Sequence, residues 1–516
     1  MTLRLYGLIY MLAKVLSGTT IGLDGVLIEV EVDVAEKGFP HFNIVGLPSK
    51  SVDEAKERVR TAIINVGYEM PDSRITVNLA PADIQKTGAG FDLPITIGIL
   101  TVSGNIKKDS IINSLFIGEL SLEGELRTVP GIISITILAK EKRIKNIYLP
   151  WGNVYEASLI DGINIYPIKN LIQLILHLNG DRRLSPFPHQ PINQLVKEEK
   201  YEYLFEDVKG QEMAKRALEI ASAGFHNVLL KGPPGTGKTF LARAFPSILP
   251  AMEKKEVFEV TKIYSVSGLL QEKFFIVNRP FRSPHHTTSR IGLIGGGSIP
   301  SPGEISLAHR GVLFMDELAE FPRNILESLR QPLEDGFITI SRAAGSLRFP
   351  SRFILLAASN PCPCGYLGHP KKSCCCLPGA ILKYKKRLSG PLLDRIDIHS
   401  DVPFLEESKL TTDISSETSK TIRERVMTAR ERQKKRFLKE KIFTNGEMNS
   451  VQIKKYCQVE DRAINLLKQA INKFSLSARS YFKVIKIAQT VADLSNKEKI
   501  EVSHISEALQ FRPLDE

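Results

Sequence analysis

The sequence predicts an α/β multidomain protein, and three patterns point there. Short apolar runs at Val228–Leu230, Val312–Met315 and Phe353–Ala358 read as buried parallel strands, each followed by glycine-rich or polar residues. Val26, Ile28, Val30, Val32 and Val34 repeat with period two, with Glu29, Glu31 and Asp33 between them, which is a half-buried strand in a stretch that alternates strands and helices. After Val402 the chain turns helical.

The first run leads into Gly232-Pro233-Pro234-Gly235-Thr236-Gly237-Lys238-Thr239, which fits G-x-x-x-x-G-K-[ST] at every fixed position and reads as a P-loop. Its glycines let successive N–H groups face phosphate oxygens, and the helix expected from Lys238 adds the positive end of its dipole. Lys238 would reach the β- and γ-phosphates, and Thr239 would put its hydroxyl on Mg²⁺. A plain Gly/Pro turn is the competing reading, disfavoured by the strand in front and a partner motif downstream. That partner is Val312–Met315 followed by Asp316 and Glu317, one acid to hold Mg²⁺ and one to polarise the attacking water. The third strand ends at Ser359-Asn360, on the edge where open α/β sheets bind ligands, so Asn360 is a candidate γ-phosphate sensor. Arg395 and Arg479 stand at element ends, where each reads equally as a functional group or an ordinary salt-bridge residue.

These spacings resemble the AAA+ ATPases, and more narrowly the Mg-chelatase-like ComM family of bacteria. The resemblance rests on the P-loop, Arg-Pro-Phe-Arg-Ser-Pro-His-His-Thr from 279, Asn-Pro-Cys-Pro-Cys-Gly from 360, Ser-Gly-Pro-Leu-Leu-Asp-Arg-Ile-Asp from 389 and Ser-Ala-Arg-Ser-Tyr from 477, and runs from about Met11 to the C-terminus. It implies an ATP- and Mg²⁺-dependent ring motor, a homo-oligomer and a hexamer in that family's manner, with Asn360 as sensor 1, Arg395 as the arginine finger given to a neighbour and Arg479 as sensor 2.

The 516 residues suggest three or four domains. A net charge of +12 favours an anionic partner, nucleic acid being the commonest, although a Lys-rich surface can also be mere composition. Residues 1–10 precede the family-like sequence and read as an extension or a misassigned start. No run of 18 apolar residues occurs, so we expect no membrane span and a cytoplasmic protein.

Residues 11–180 read as one α/β domain. Ser51 and Glu54 suggest a capping box before the apolar face Val52, Ala55, Val59, Ala62, Ile63 and Val66, and strands are expected at Ile75–Leu79, Leu115–Glu119 and Leu126–Val129. The blocks Lys86–Asp92 and Gly118–Arg127 resemble the proteolytic domain of Lon proteases, but Gly90 stands where the Ser would be, and Ile132, Ile133 and Ser134 follow where the Lys would lie. The resemblance therefore implies the fold without the peptidase. Residues 181–204, with Pro186, Pro188 and Pro191, read as a linker.

Residues 205–402 form the expected ATPase core. It carries a long insert with Arg279, Arg282, His285, His286 and Arg290, which by resemblance is the helix-2 insert facing the pore. A strand-turn-strand pattern over Gly336–Pro350 suggests a hairpin whose arginines suit phosphate-backbone gripping. His285 and His286 read more readily as packing or hydrogen-bonding residues than as direct ligands. Cys362, Cys364, Cys374 and Cys376 are four thiolates in a short loop, suited to Zn²⁺ or left as reduced free thiols, with Cys375 to spare. Residues 403–516 read as a helical lid, in which Thr421–Lys441 holds nine Lys or Arg against three Glu and looks strongly basic on its exposed side.

The resemblance implies a helicase-like translocase on single-stranded or branched DNA, promoting branch migration in recombination or natural transformation. The rivals are a chelatase-type motor or a protein-remodelling ATPase, an ATP-dependent protease, which the missing dyad disfavours, and a non-hydrolysing scaffold, which the intact Asp316-Glu317 disfavours.

Overall fold

The computed structural model describes residues 12–35, 39–191, 201–270, 275–297, 300–342, 345–404, 417–474 and 476–513. The chain divides into two compact units, Met1–Lys197 with Val257–Ile276, and Glu198–Glu256 with Val277–Glu516. Residues 257–276, expected within the ATPase core, thus cluster with the first unit. The leading ten residues, expected as an extension, lie outside the described residues.

In the first unit, β1 (Leu12–Ile21), β2 (Asp24–Val34), β3 (His41–Val45), β4 (Arg74–Ala80), β5 (Ser114–Phe116), β6 (Asn146–Pro150) and β7 (Asn164–Ile168) form a seven-stranded mixed sheet in the order β3-β4-β2-β1-β5-β6-β7. Val30 lies opposite Val15 on one side and Leu79 on the other, so the period-two pattern sends one apolar row into a shared core. Against that core lie α1 (Ala55–Asn65), α2 (Asp92–Val102) and α4 (Leu171–Asn179), while α3 (Ile132–Glu141) packs in a second buried cluster with Leu115, Ile147 and Ile165. Every residue of α2 from Leu93 to Leu100 is buried. Gly98 permits this helix to approach β2, since a Cβ there would stand 2.4 Å from Val32 Cγ2.

Several local expectations change. Ser51 does not cap a helix: its Oγ accepts from Gly88 N–H at 3.2 Å, while Glu54 itself occupies the N-cap of α1 without a side-chain cap bond. The strand expected over Leu115–Glu119 breaks because Gly118 leaves the sheet, its N–H donating to Gly90 O and its carbonyl accepting from Leu93 N–H. The strand expected over Leu126–Val129 stops at Arg127, and Val129 N–H instead donates to Asn153 Oδ1. Part of the expected linker is also held: Phe187 N–H donates to Ile165 O at 2.7 Å and its ring meets Trp151 and Tyr155 edge-on. Three prolines in a polar stretch signal irregular backbone, and they do not report whether that backbone docks.

In the second unit, α5 (Glu212–Gly224) precedes β8 (Val228–Lys231) and α6 (Lys238–Ala244) follows it. With β9 (Phe281–Arg282), β10 (Val312–Met315), β13 (Ile354–Ser359) and β14 (Ile398–Asp401), β8 makes a five-stranded parallel sheet in the order β9-β10-β13-β8-β14. The hairpin of β11 (Phe337–Arg342) and β12 (Gly345–Pro350) lies between α7 (Arg330–Asp335) and β13 in sequence. All residues of β10 and β13 are buried, as a parallel sheet covered on both faces requires.

The C-terminal region is helical: α8 (Ser419–Arg436), α9 (Ser450–Tyr456), α10 (Asp461–Phe474), α11 (Ala478–Leu494) and α12 (Val502–Gln510). The basic character of α8 is largely absorbed within the fold. Arg425 pairs with Glu219 and Glu417, Arg436 with Asp493, Lys434 with Glu253, and Arg432 donates to Asn496 Oδ1 and Lys497 O. A count of charges along one helix cannot see acids delivered by others.

Candidate active site

The candidate nucleotide site lies at the C-terminal ends of β8, β10 and β13. Lys231 at the end of β8 lies opposite Ser359 at the end of β13, and Met315 of β10 lies opposite Ala357. That register brings the P-loop, Asp316-Glu317 and Asn360 to one crevice, where Gly235, Gly237, Lys238, Thr239, Asp316, Glu317 and Asn360 line one cavity.

The loop is held by its own atoms. Gly232 N–H donates to Ser359 O at 3.2 Å, and a Cβ at Gly232 would stand 2.2 Å from Val402 O. Gly235 and Gly237 have φ of 77° and 89°, the left-handed region that only glycine adopts freely, while a Cβ on either would meet nothing within 4 Å. These two are required for conformation and Gly232 for space. Thr236 Oγ1 donates to Pro233 O at 3.0 Å. Pro233 and Pro234 have no N–H, so within the loop they give the backbone stiffness and no phosphate donor.

Lys238 Nζ donates to Gly232 O and Pro233 O, both at 2.7 Å, and to Asn360 Oδ1 at 3.3 Å. Burial lowers its pKa, and the charges of Asp316 and Glu317 oppose that effect. Its ammonium thus already sits among oxygens, in a place an anionic phosphate would occupy. Thr239 Oγ1 donates to Asp316 Oδ2 at 2.8 Å, and Asp316 Oδ1 accepts from Glu317 N–H at 2.9 Å. Glu317 has φ of 50°, an uncommon conformation for a residue with a side chain and one that turns it sharply away from the strand direction.

Gln211 was not singled out by the sequence, yet its Nε2 donates to Thr236 O at 3.2 Å and to Pro403 O at 2.8 Å, bracing the loop from outside. Asn227 was likewise missed. Its Oδ1 accepts from Leu355 N–H and its Nδ2 donates to Arg395 O, tying the starts of β8 and β13 to the segment that carries Arg395. No motif marks either residue, because both act through backbone groups distant in sequence.

Arg395 and Arg479 do not line the P-loop cavity. They line a second one, where Glu334 pairs with Arg395 and lies 3.6 Å from Arg479 Nη2. The insert arginines are also engaged. Arg279, only 6% exposed, pairs with Glu256 at 2.8 Å and donates to Pro250 O and Arg310 O, while Arg282 forks onto Glu304 with two bonds of 2.6 Å. These two brace the fold and are not loop-tip grips. The rings of His285 and His286 lie against each other tilted by 35°, with centroids 4.0 Å apart. In the hairpin, Arg348 is exposed with its guanidinium 4.8 Å from the Phe337 ring centroid; residues 343–344 and the Arg342 side chain lie outside the described residues.

The thiols of Cys362, Cys364, Cys374 and Cys376 all lie within 4.8 Å of one another. Cys362, Cys364 and Cys374 are spaced at 3.5 to 3.6 Å between sulfurs. Four sulfurs held about 2.3 Å from a tetrahedral zinc stand about 3.8 Å apart, so this donor set fits Zn²⁺. The loop bears on the nucleotide site: a Cβ at Gly365 would stand 2.7 Å from Pro234 Cδ and 3.9 Å from Asn360 Cγ.

Comparison with known proteins covers almost the whole chain. The family models described as magnesium chelatase, subunit ChlI, as subunit ChlI of Mg-chelatase, and as magnesium chelatase, subunit ChlI C-terminal match residues 204–410, 30–153 and 416–512. Competence protein ComM of Haemophilus influenzae is 43% identical over 516 residues, 98% of each chain. The uncharacterized protein YifB of Escherichia coli is 41% identical over 96% of each chain. The magnesium-chelatase subunit ChlI of Mesostigma viride is 25% identical over 44% of this chain and 64% of its own.

Proposed function

The chain belongs to the ComM-type, magnesium-chelatase-like family of AAA+ ATPases, and on that premise we propose that it is an ATP-hydrolysing ring motor acting on DNA. In this reading it assembles as a hexamer in the cytoplasm and translocates on single-stranded or branched DNA, promoting branch migration in recombination or natural transformation. The observation that carries the ATPase part is the convergence of Lys238, Thr239, Asp316, Glu317 and Asn360 on one cavity. Similarity over nearly full length to a competence protein supports the DNA part. Among the described residues no helix is long and apolar enough to cross a membrane.

Gly232 to Thr239 would hold the phosphates of ATP, and Thr239 and Asp316 would hold Mg²⁺, which when bound supplies charge neutralisation on the phosphates. Glu317 orients and deprotonates the attacking water. Asn360 positions that water beside Lys238, Arg395 serves as the finger given to the nucleotide of an adjoining subunit, and Arg479 serves as sensor 2. The four cysteines would hold Zn²⁺ as a staple on the loop after Asn360.

A chelatase-type motor is the second reading, favoured by the family models and by the partial match to a chelatase subunit. ATPase activity measured with and without single-stranded, duplex and branched DNA over a salt series separates the two. The DNA motor is stimulated by DNA, binds it less tightly as salt rises, and moves a branched junction only with ATP. Substituting Arg348→Ala should weaken movement and leave basal ATPase intact. An assembled, ATP-loaded protein that binds no DNA at low salt would exclude the DNA reading.

A further inference from the structure

Glu334 stands between two arginines that reach it from different elements. It lies in α7, Arg395 follows the short helix Gly390–Leu393, and Arg479 opens α11. One carboxylate oxygen of Glu334 accepts from Arg395 Nη2, and the other lies 3.6 Å from Arg479 Nη2. Arg395 also donates from Nη1 to Pro391 O at 2.6 Å, while its Nε is buried without a hydrogen-bond partner. The side chain of Arg395 is 11% exposed, against 52% for Glu334 and 44% for Arg479. Two cations are therefore gathered by a single carboxylate that faces solvent.

The cavity these residues line has a volume of about 620 Å³, within the range that takes small-molecule ligands. Lys483 and Lys486 stand on the same wall, their ammonium groups fixed on Ile396 O and Gly446 O. Asp335, Asp394, Asp397 and Glu447 also line it; Asp397 accepts from Asn227 N–H and Glu447 is paired with Arg352. Glu334 is the acid that meets both Arg395 and Arg479.

Resting on the ring-motor reading, we propose that Glu334 is a positioning residue that holds Arg395 and Arg479 as a closed pair until the triphosphate of a nucleotide bound to a second copy of this chain displaces its carboxylate. Glu334 is itself half exposed, and a carboxylate open to water holds its arginines weakly, so a polyanion offering several oxygens to two guanidinium forks can replace it. While the carboxylate is in place both guanidinium groups are engaged on it, and its departure makes both available to the phosphates together. Release is linked to the hairpin by the chain itself. Glu334 is followed within three residues by the start of β11, and Gly336, between them, accepts through its carbonyl from Ser351 N–H at the foot of β12. A pull on the hairpin therefore acts on the carboxylate.

The test uses the full chain with Glu334→Gln and Glu334→Asp, measuring kcat and KM for ATP without DNA. Freed arginines should raise DNA-free kcat about three- to tenfold in Glu334→Gln, the range open to the loss of one or two exposed ion pairs, with KM changing less than about twofold. Glu334→Asp, whose shorter side chain spans fewer of these contacts, should fall between. The rise should vanish in Glu334→Gln/Arg395→Ala. Unchanged or lowered kcat in both single variants, or a rise that survives loss of Arg395, overturns the proposal. A wild-type protein without ATPase activity overturns the ring-motor reading as well, whereas an active wild type matched by its Glu334→Gln variant overturns this inference alone.

Discussion

The hydroxyl of Thr239 donates to Oδ2 of Asp316 at 2.8 Å, joining the last residue of the P-loop to the first acid after β10. In ATP hydrolysis these are the two protein groups that would share Mg²⁺. Glu317, the next residue, has its N–H on the other Asp316 oxygen, and this separates its role from that of the metal pair. Glu317→Gln should therefore bind ATP within a few-fold of wild type while turnover falls by about 10²-fold or more. Nucleotide-binding titration beside steady-state ATPase checks this, and retained turnover would assign the water to another residue.

Arg395 lies outside the lining of the P-loop cavity, so its contribution should cross a subunit boundary. Arg395→Ala and Lys238→Ala subunits should each be nearly inactive alone and regain part of the ATPase when mixed, because some composite sites are then intact. Mass measurement must show that mixed assemblies form. Mixed assemblies with no recovered activity would assign Arg395 a role within its own chain.

The sulfur spacing of the cysteine loop predicts close to one zinc per chain in protein purified without chelator. Cys362→Ser/Cys364→Ser should lose the metal and lower the unfolding midpoint. Because Gly365 packs on Pro234, metal loss should also weaken ATP binding. Elemental analysis and ATP titration read the two effects, and a folded, active, metal-free wild type would favour free thiols.

Glu156 in the first unit is buried, accepts from Asn153 Nδ2 at 2.7 Å and Ser265 Oγ at 2.6 Å, and burial pushes its pKa up to about 7. A raised carboxyl pKa means that the folded state holds the proton more tightly than the unfolded one. Stability should then decline as pH rises from about 4.5, the unfolded value, to about 7, and level off above it. The loss is at most about 3 kcal/mol. Glu156→Gln should flatten this slope, so its unfolding midpoint should gain on wild type between pH 5 and pH 8. Parallel slopes would exclude Glu156 as the titrating group.

What the sequence determined by itself is the chemistry carried by local spacing. The P-loop, the acids after β10, Asn360 after β13 and the four cysteines were legible because each motif lies in one short stretch whose conformation is set by glycine, by strand ends or by ligand spacing. β2, α1 and α8 were legible through periodicity, whereas α2, α3 and α4 and the strands β1, β3, β6 and β7 were not; α2, buried along its length, has no polar face to set a period. The tertiary structure alone decided which charges are spent. Arg279 and Arg282 in the insert and Arg425 and Arg436 in the basic helix count from sequence as free positive charge, and each instead meets an acid brought from another part of the chain. It also decided that Glu334, an unremarkable acid in a short helix, joins Arg395 to Arg479, and that Gln211 and Asn227 brace the nucleotide loop and its neighbours. Such pairings depend on distance in space, and a charge reveals nothing of its partner until the fold has placed both.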